Sequence, residues 1–182
     1  MSLTLLLGGA RSGKSRLAVR LAASPGLPVV VIATGEARDE EMAERIHRHR
    51  AERPAEWETI EEPIDLAGPL ANVQDRNCVL VDCLTLWVSN LMEMGLSDGE
   101  IEERAGKAAS LAATRGSLAV AVTNEVGSGI VPEGALARRF ADVLGRVNAI
   151  WAEEADRALL VVAGRVLPLS DPADVLKELS RG

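Results

Sequence analysis

The chain has 182 residues, of which 27 are acidic and 20 basic, for a formal net charge of −7. That length suits one domain over residues 1–182 with a self-sufficient core, and an apolar share of 47% against 26% charged excludes a disordered chain. The negative balance argues against a broadly basic nucleic-acid surface but leaves room for a local phosphate site.

In chain order, Leu3–Leu7 reads as a strand ended by Gly8-Gly9, and Lys14–Ala23 as the helix that follows. Residues 28–33 (Pro-Val-Val-Val-Ile-Ala) form a second strand, and residues 39–53 a strongly charged helix. Residues 63–77 carry no clear period, being broken by Pro63, Gly68 and Pro69. Cys78–Asp82 is a third strand, and residues 84–94 are an apolar strip suited to core or interface. Ser97-Asp98-Gly99-Glu100 is a capping box that opens a helix running to about Arg115. Residues 118–123 and 158–163 supply two more strands. Between them Leu136, Phe140, Val143, Val147, Ile150 and Trp151 recur at helical spacing over residues 135–155. Asp171-Pro172 starts a last short helix. The strand runs are continuous and β-branched instead of alternating, the mark of a parallel sheet covered on both faces. The expected fold is α/β with three layers: a mostly parallel sheet and helices on both sides.

The amino terminus has no basic segment, and its apolar run is too short for a signal peptide or a membrane span. Cys78 and Cys83 lack metal-ligand spacing and read as small apolar residues in a reducing compartment. A cytoplasmic protein without stable membrane insertion is expected. Trp57, Trp87, Trp151 and Phe140 are the only aromatics, so base stacking on aromatic platforms is not an obvious resource.

The first strand runs into Gly8-Gly9-Ala10-Arg11-Ser12-Gly13-Lys14-Ser15, which fits the P-loop pattern G-x-x-x-x-G-K-[ST]. The glycines let backbone N–H groups turn inward around phosphate oxygens, and the following helix points its positive end at them. Lys14 would reach the β- and γ-phosphates, and the Ser15 hydroxyl would ligate Mg²⁺. A second Mg²⁺ ligand is needed at a neighbouring strand end, where Asp82 stands.

Both histidines of the chain, His47 and His49, lie in the charged helix. Acids at its start and bases at its end suit the helix dipole, so a solvated surface helix is one reading. The other is a nucleophilic, phosphate-binding face. At about 100° per residue, Met42, Arg45, Ile46, His49 and Arg53 share a stripe, while His47 points roughly 160° away from His49. Arg45 and Arg53 then flank His49, favouring a neutral imidazole able to attack phosphorus. Asn124, Glu125 and Gly127 follow a strand end, where open α/β sheets place ligands. For Gly127 a simple turn is the alternative.

Together these segments resemble the bifunctional adenosylcobinamide kinase / adenosylcobinamide-phosphate guanylyltransferase family of cobalamin biosynthesis. The resemblance rests on the P-loop, Ile32-Ala33-Thr34, Asp39 to Ile46 leading to His49 and Arg53-Pro54, and Asp82-Cys83-Leu84-Thr85 with Asn90. It extends through Thr123-Asn124-Glu125-Val126-Gly127 and Arg138 to Asn148. It implies a RecA-like P-loop fold and two reactions: phosphorylation of adenosylcobinamide by ATP or GTP, then transfer of GMP from GTP to the new phosphate. It implies that a histidine carries the GMP, and the Arg-Ile-x-x-His-x-x-x-Arg-Pro alignment puts that role on His49. It further implies nucleotide contacts at Thr34, Glu61 and Asp82, phosphate or substrate contacts at Arg45, Arg53 and Asn90, and a homo-oligomer, as a trimer. A P-loop kinase of a small metabolite, with His49 a surface residue, is the alternative. A GTPase switch is disfavoured because no Asn-Lys-x-Asp guanine-reading motif occurs.

Overall fold

The computed structural model describes residues 3–180, apart from the side chains of Arg45 and Glu178. In chain order the elements are β1 (Leu3–Leu7), α1 (Lys14–Ala23), β2 (Val29–Ala33), α2 (Glu40–Ala51), β3 (Glu58–Glu61), α3 (Ala67–Asn72) and β4 (Cys78–Asp82). They continue with α4 (Leu84–Glu93), α5 (Asp98–Ala113), β5 (Ala119–Val122), α6 (Ala135–Glu154), β6 (Arg157–Val162), β7 (Arg165–Leu169) and α7 (Pro172–Leu179). The strands form one sheet in the order β3-β2-β4-β5-β1-β6-β7. Every pairing is parallel except the last, where β7 returns antiparallel along β6.

The continuous apolar runs follow from two cores. On one face Leu3, Leu5, Val79, Val81, Ala119 and Ala121 pack against α4, α5 and α6. On the other Leu6, Val29, Val31, Leu80, Val120 and Val122 pack with Ala18 and Ala22 of α1. Successive strand residues go to opposite sides, and both sides are covered. The strip at 84–94 is core: Leu84, Trp87, Val88 and Leu91 of α4 are fully buried. The capping box forms as its spacing predicts, with the Glu100 N–H donating to Ser97 Oγ and the Ser97 N–H to Glu100 Oε2. No described helix is long and apolar enough to cross a membrane.

Parallel pairing puts the carboxyl ends of β1 to β5 on one edge. In register, Ala33 lies beside both Glu61 and Asp82, and Asp82 lies beside Val122. The loops after these positions therefore converge. Over them stands α2, of whose described side chains none is fully buried.

Candidate active site

The loop after β1 takes the shape its glycines allow. Gly13 has φ 101°, a left-handed conformation that side chains resist, and a Cβ on Gly8 would meet the Val161 carbonyl oxygen at 2.4 Å. Two backbone bonds fasten the loop: the Glu125 N–H donates to Gly8 O at 3.2 Å and the Gly164 N–H to Ser12 O at 2.8 Å. Lys14 is buried, its Nζ donating to Gly9 O at 2.9 Å, and Ser12 Oγ is buried with no hydrogen-bond partner. A buried donor of this kind awaits an acceptor. Ala10 to Ser15 form one wall of a cleft of about 320 Å³, whose other wall is Glu41, Glu44, Arg48 and His49 of α2.

The charged helix is built as its sequence foretold. Asp39 Oδ1 accepts from the Met42 N–H at 2.7 Å, Glu40 and Glu41 occupy the first turn, and Arg48, His49 and Arg50 the last. One face turns inward: Met42, Ile46, His49, Arg50 and Arg53 line a second, inner pocket with Ala33, Gly35, Glu61, Asp82, Cys83, Leu86 and Asn124. His47 is exposed and lines neither of these clefts but a neighbouring groove that also includes Gly35, Ala43 and Pro63. Both histidines thus go where the spacing put them. The Arg45 side chain lies outside the described residues.

Asp82 and Arg53 are the buried pair at this pocket, side chains 13% and 8% exposed. Arg53 Nη2 donates to Asp82 Oδ2 at 2.7 Å, and His49 Nδ1 stands 3.8 Å from the same oxygen. Burial pushes the Asp82 carboxyl up, but the His49 imidazole and the Arg53 guanidinium outweigh it and hold it below its usual value. Arg53 Nη1 is buried with no hydrogen-bond partner. Next to them the Cys83 thiol is pushed up to about 11, first by burial and then by the Asp82 charge. It therefore stays protonated at neutral pH and is a poor competing nucleophile.

The lowered Asp82 value ties stability to pH. Its contribution is complete above the unfolded value of about 3.9 and is lost as pH falls through the lower folded value. Asp82→Asn is expected to cost about 1–3 kcal/mol at neutral pH, with the gap to the parent chain closing below about pH 4. Urea midpoints measured across that range check it, and a gap that persists unchanged in acid contradicts the pairing.

The remaining sequence candidates divide. Glu61 pairs with Arg50, and both line the inner pocket. Thr34 is fully buried, its Oγ1 donating to Cys83 O at 2.7 Å and accepting from the Cys83 N–H at 2.8 Å. Asn90 is buried within α4, its carboxamide bound by backbone and by Arg38, so it does not face either cleft. Glu125 accepts from the Gly127 N–H at 2.7 Å and from Ser128 Oγ at 3.2 Å, closing its own loop. Asn124 does reach the inner pocket. Its backbone is held by Thr85 Oγ1, which accepts its N–H, and by Asn148 Nδ2, which donates to its carbonyl. Thr85 and Asn148, which stand in segments that carry the family resemblance but were assigned no role there, belong to the site's support. Arg50 is one of the four arginines, with Arg45, Arg48 and Arg53, among which the sequence does not choose the phosphate-neutralising ones.

Ser15 lines the P-loop cleft and Asp82 the adjoining inner pocket, both offering hard oxygen donors, and the protein contacts of Asp82 fall on Oδ2. One hydroxyl and one carboxylate, completed by substrate phosphates and water, fit Mg²⁺.

Over residues 4–169 the chain matches the family described as cobinamide kinase / cobinamide phosphate guanyltransferase. It is 48% identical over 166 residues to the bifunctional adenosylcobalamin biosynthesis protein CobP of Pseudomonas aeruginosa, across 91% of this chain and 95% of that one. To the bifunctional adenosylcobalamin biosynthesis protein CobU of Escherichia coli it is 41% identical over 173 residues, across 88% and 95%. Among solved structures, an ATPase of a type III secretion system superposes with TM-score 0.55 at 14% identity, over 87% of this chain and 51% of that one. The RadB recombinase superposes with TM-score 0.51 at 14% identity, over 87% and 73%. These two likenesses concern the fold, which is RecA-like.

Proposed function

The chain belongs to the cobinamide kinase / cobinamide phosphate guanyltransferase family, and from that premise we propose that one nucleotide site, shared by the P-loop and α2, performs both of its reactions. The chain is a transferase of cobalamin biosynthesis that phosphorylates cobinamide and then guanylylates the phosphate. The adenosylated corrinoid, the residue roles and the covalent step are our reading. The observation that carries it is the position of His49, which lines both the P-loop cleft and the inner pocket.

In the kinase step, Lys14 and the amides of Gly9 to Ser15 hold the β- and γ-phosphates of ATP or GTP while the corrinoid's hydroxyl oxygen attacks the γ-phosphorus; the new O–P bond forms, the bond from the γ-phosphorus to the β–γ bridging oxygen breaks, ADP or GDP leaves, and the hydroxyl proton passes to solvent. Phosphoryl transfer needs positioning and charge neutralisation more than covalent help, and this loop supplies both. Ser15 and Asp82 would hold Mg²⁺, which when bound neutralises phosphate charge.

In the guanylyl step the same loop holds the β/γ end of GTP, and His49 attacks the α-phosphorus. Nδ1 faces Asp82 at 3.8 Å, so Nε2 is the attacking atom and Nδ1 carries the proton. The Nε2–P bond forms, the bond from the α-phosphorus to the bridging oxygen breaks, and pyrophosphate leaves. A phosphate oxygen of cobinamide phosphate then displaces His49 from the phosphorus, giving adenosylcobinamide-GDP. Splitting the displacement in two is what a nucleophilic side chain contributes. Arg53, with its unpartnered Nη1, is placed to neutralise charge on the transferred group. Glu61 and Asn124 complete the nucleotide pocket, with Glu125 and Gly127 shaping the loop beside it.

A homo-oligomer, as a trimer in the cytoplasm, completes the proposal. It is supported by an apolar strip at the sheet edge, where Leu167 of β7 and Leu176 and Leu179 of α7 are exposed. The two free thiols suit a reducing compartment.

The test is sequential turnover. With ATP alone, adenosylcobinamide is expected to become its phosphate. On addition of GTP, that phosphate becomes adenosylcobinamide-GDP with one pyrophosphate released. Phosphorylation without guanylylation would reduce the chain to a plain kinase.

A further inference from the structure

We infer that Asn90 is a positioning residue for the guanylyl step: from inside α4 it fixes the segment that delivers α2, and with it His49. The inference rests on the two-step reading above. Asn90 is only 4% exposed, in a helix whose neighbouring core positions are Trp87, Val88 and Leu91. An amide there costs stability unless its hydrogen bonds are made. All of its bonds go to the edge of the sheet that carries the site. Nδ2 donates to Thr34 O at 2.8 Å and to Pro63 O at 3.1 Å, and Oδ1 accepts from Arg38 Nη2 at 2.9 Å. One side chain thereby joins the chain after β2, the chain after β3 and the residue just before the α2 cap.

The route to His49 is short. Arg38 also pairs with Glu36 of its own loop and with Glu93 at the end of α4. Asp39, the next residue, caps α2 through its bond to the Met42 N–H. Gly35, between Thr34 and Glu36, packs so close that a Cβ there would lie 3.2 Å from Leu86 and 3.4 Å from Ile46 of α2. The position of α2 over the cleft is therefore set by how residues 34–38 are tied down. The P-loop is fastened elsewhere, to Glu125 and Gly164. Loosening Asn90 should accordingly disturb the histidine step more than the kinase step.

The experiment compares both half-reactions in the full chain: phosphorylation of adenosylcobinamide by ATP, and incorporation of α-labelled GMP into the protein. Asn90→Asp keeps the shape but turns an oxygen toward two carbonyls. It is expected to slow guanylylation about 10- to 100-fold, the cost of a misplaced nucleophile, while kinase kcat changes less than about threefold. Arg38→Gln, at a side chain 42% exposed, should move the ratio of the two rates in the same direction by a smaller factor. Ser117→Ala removes a buried tie at the opposite edge of the sheet, its bond to Asn77 O, and should leave the ratio unchanged. Rates that fall together, or a ratio unaltered in Asn90→Asp and Arg38→Gln, overturn the inference. If Asn90→Asp does not fold, Arg38→Gln decides alone. Absence of guanylylation in the parent chain overturns instead the reading on which the inference rests.

Discussion

Lys14→Ala is expected to depress both transfers by roughly 10²–10³-fold in kcat/KM, the usual cost of deleting one preorganised donor to a transferring phosphoryl group. The reason is where the structure holds the ammonium. Lys14 is buried at the start of α1, with Nζ fixed 2.9 Å from Gly9 O, inside the loop that is to wrap the triphosphate. A cation held in place before the nucleotide arrives needs no reorganisation during transfer, and burial strengthens its field. Because the same triphosphate end is gripped in both steps, the two activities should fall together. Steady-state rates with ATP for phosphorylation and with GTP for guanylylation measure this, with circular dichroism to establish folding. Loss of one activity and retention of the other would mean that the two reactions do not share the loop.

His49→Ala makes the opposite kind of expectation. It should abolish guanylyl transfer, by at least about 10³-fold since the covalent route itself is removed, and leave phosphorylation within about threefold, well under 1.4 kcal/mol. His49 is 31% exposed on a helix with no fully buried described side chain, so its truncation leaves the core intact. His47→Ala should leave both rates unchanged, because His47 is exposed and lines neither the P-loop cleft nor the inner pocket. The pair of substitutions separates a nucleophile from a merely basic helix.

Much of this site was legible in the sequence because its parts are local. The P-loop is eight consecutive residues, and a 3.6-residue period alone put His49 and His47 on different sides of their helix. Continuous apolar runs marked β1, β2, β4, β5 and β6, and the central strands are apolar throughout because both of their faces are covered. What escaped is what depends on neighbours distant in sequence. The Arg53–Asp82 bond spans 29 positions, and nothing near Asp82 announces it. The apolar character of the 84–94 strip left both core and interface open, and only its packing as α4 settles it as core. Glu58–Glu61 is a short polar edge strand without β-branched weight beyond Thr59 and Ile60. β7 hangs on a tight return at Ala163 and Gly164, both with positive φ, where Ala-Gly is a weak turn signal. Asn90 illustrates the same limit. The family resemblance drew it into the site, but its side-chain partners are backbone carbonyls and Arg38.

The covalent step is the centre of the account, and one measurement addresses it directly. The protein is incubated with α-labelled GTP and Mg²⁺, denatured, digested, and the modified peptide is sequenced by mass spectrometry. One GMP per chain is expected on His49, in a bond labile to acid and stable to base. An unlabelled chain, or a label on His47, on Cys83 or on a residue of the P-loop, would contradict it.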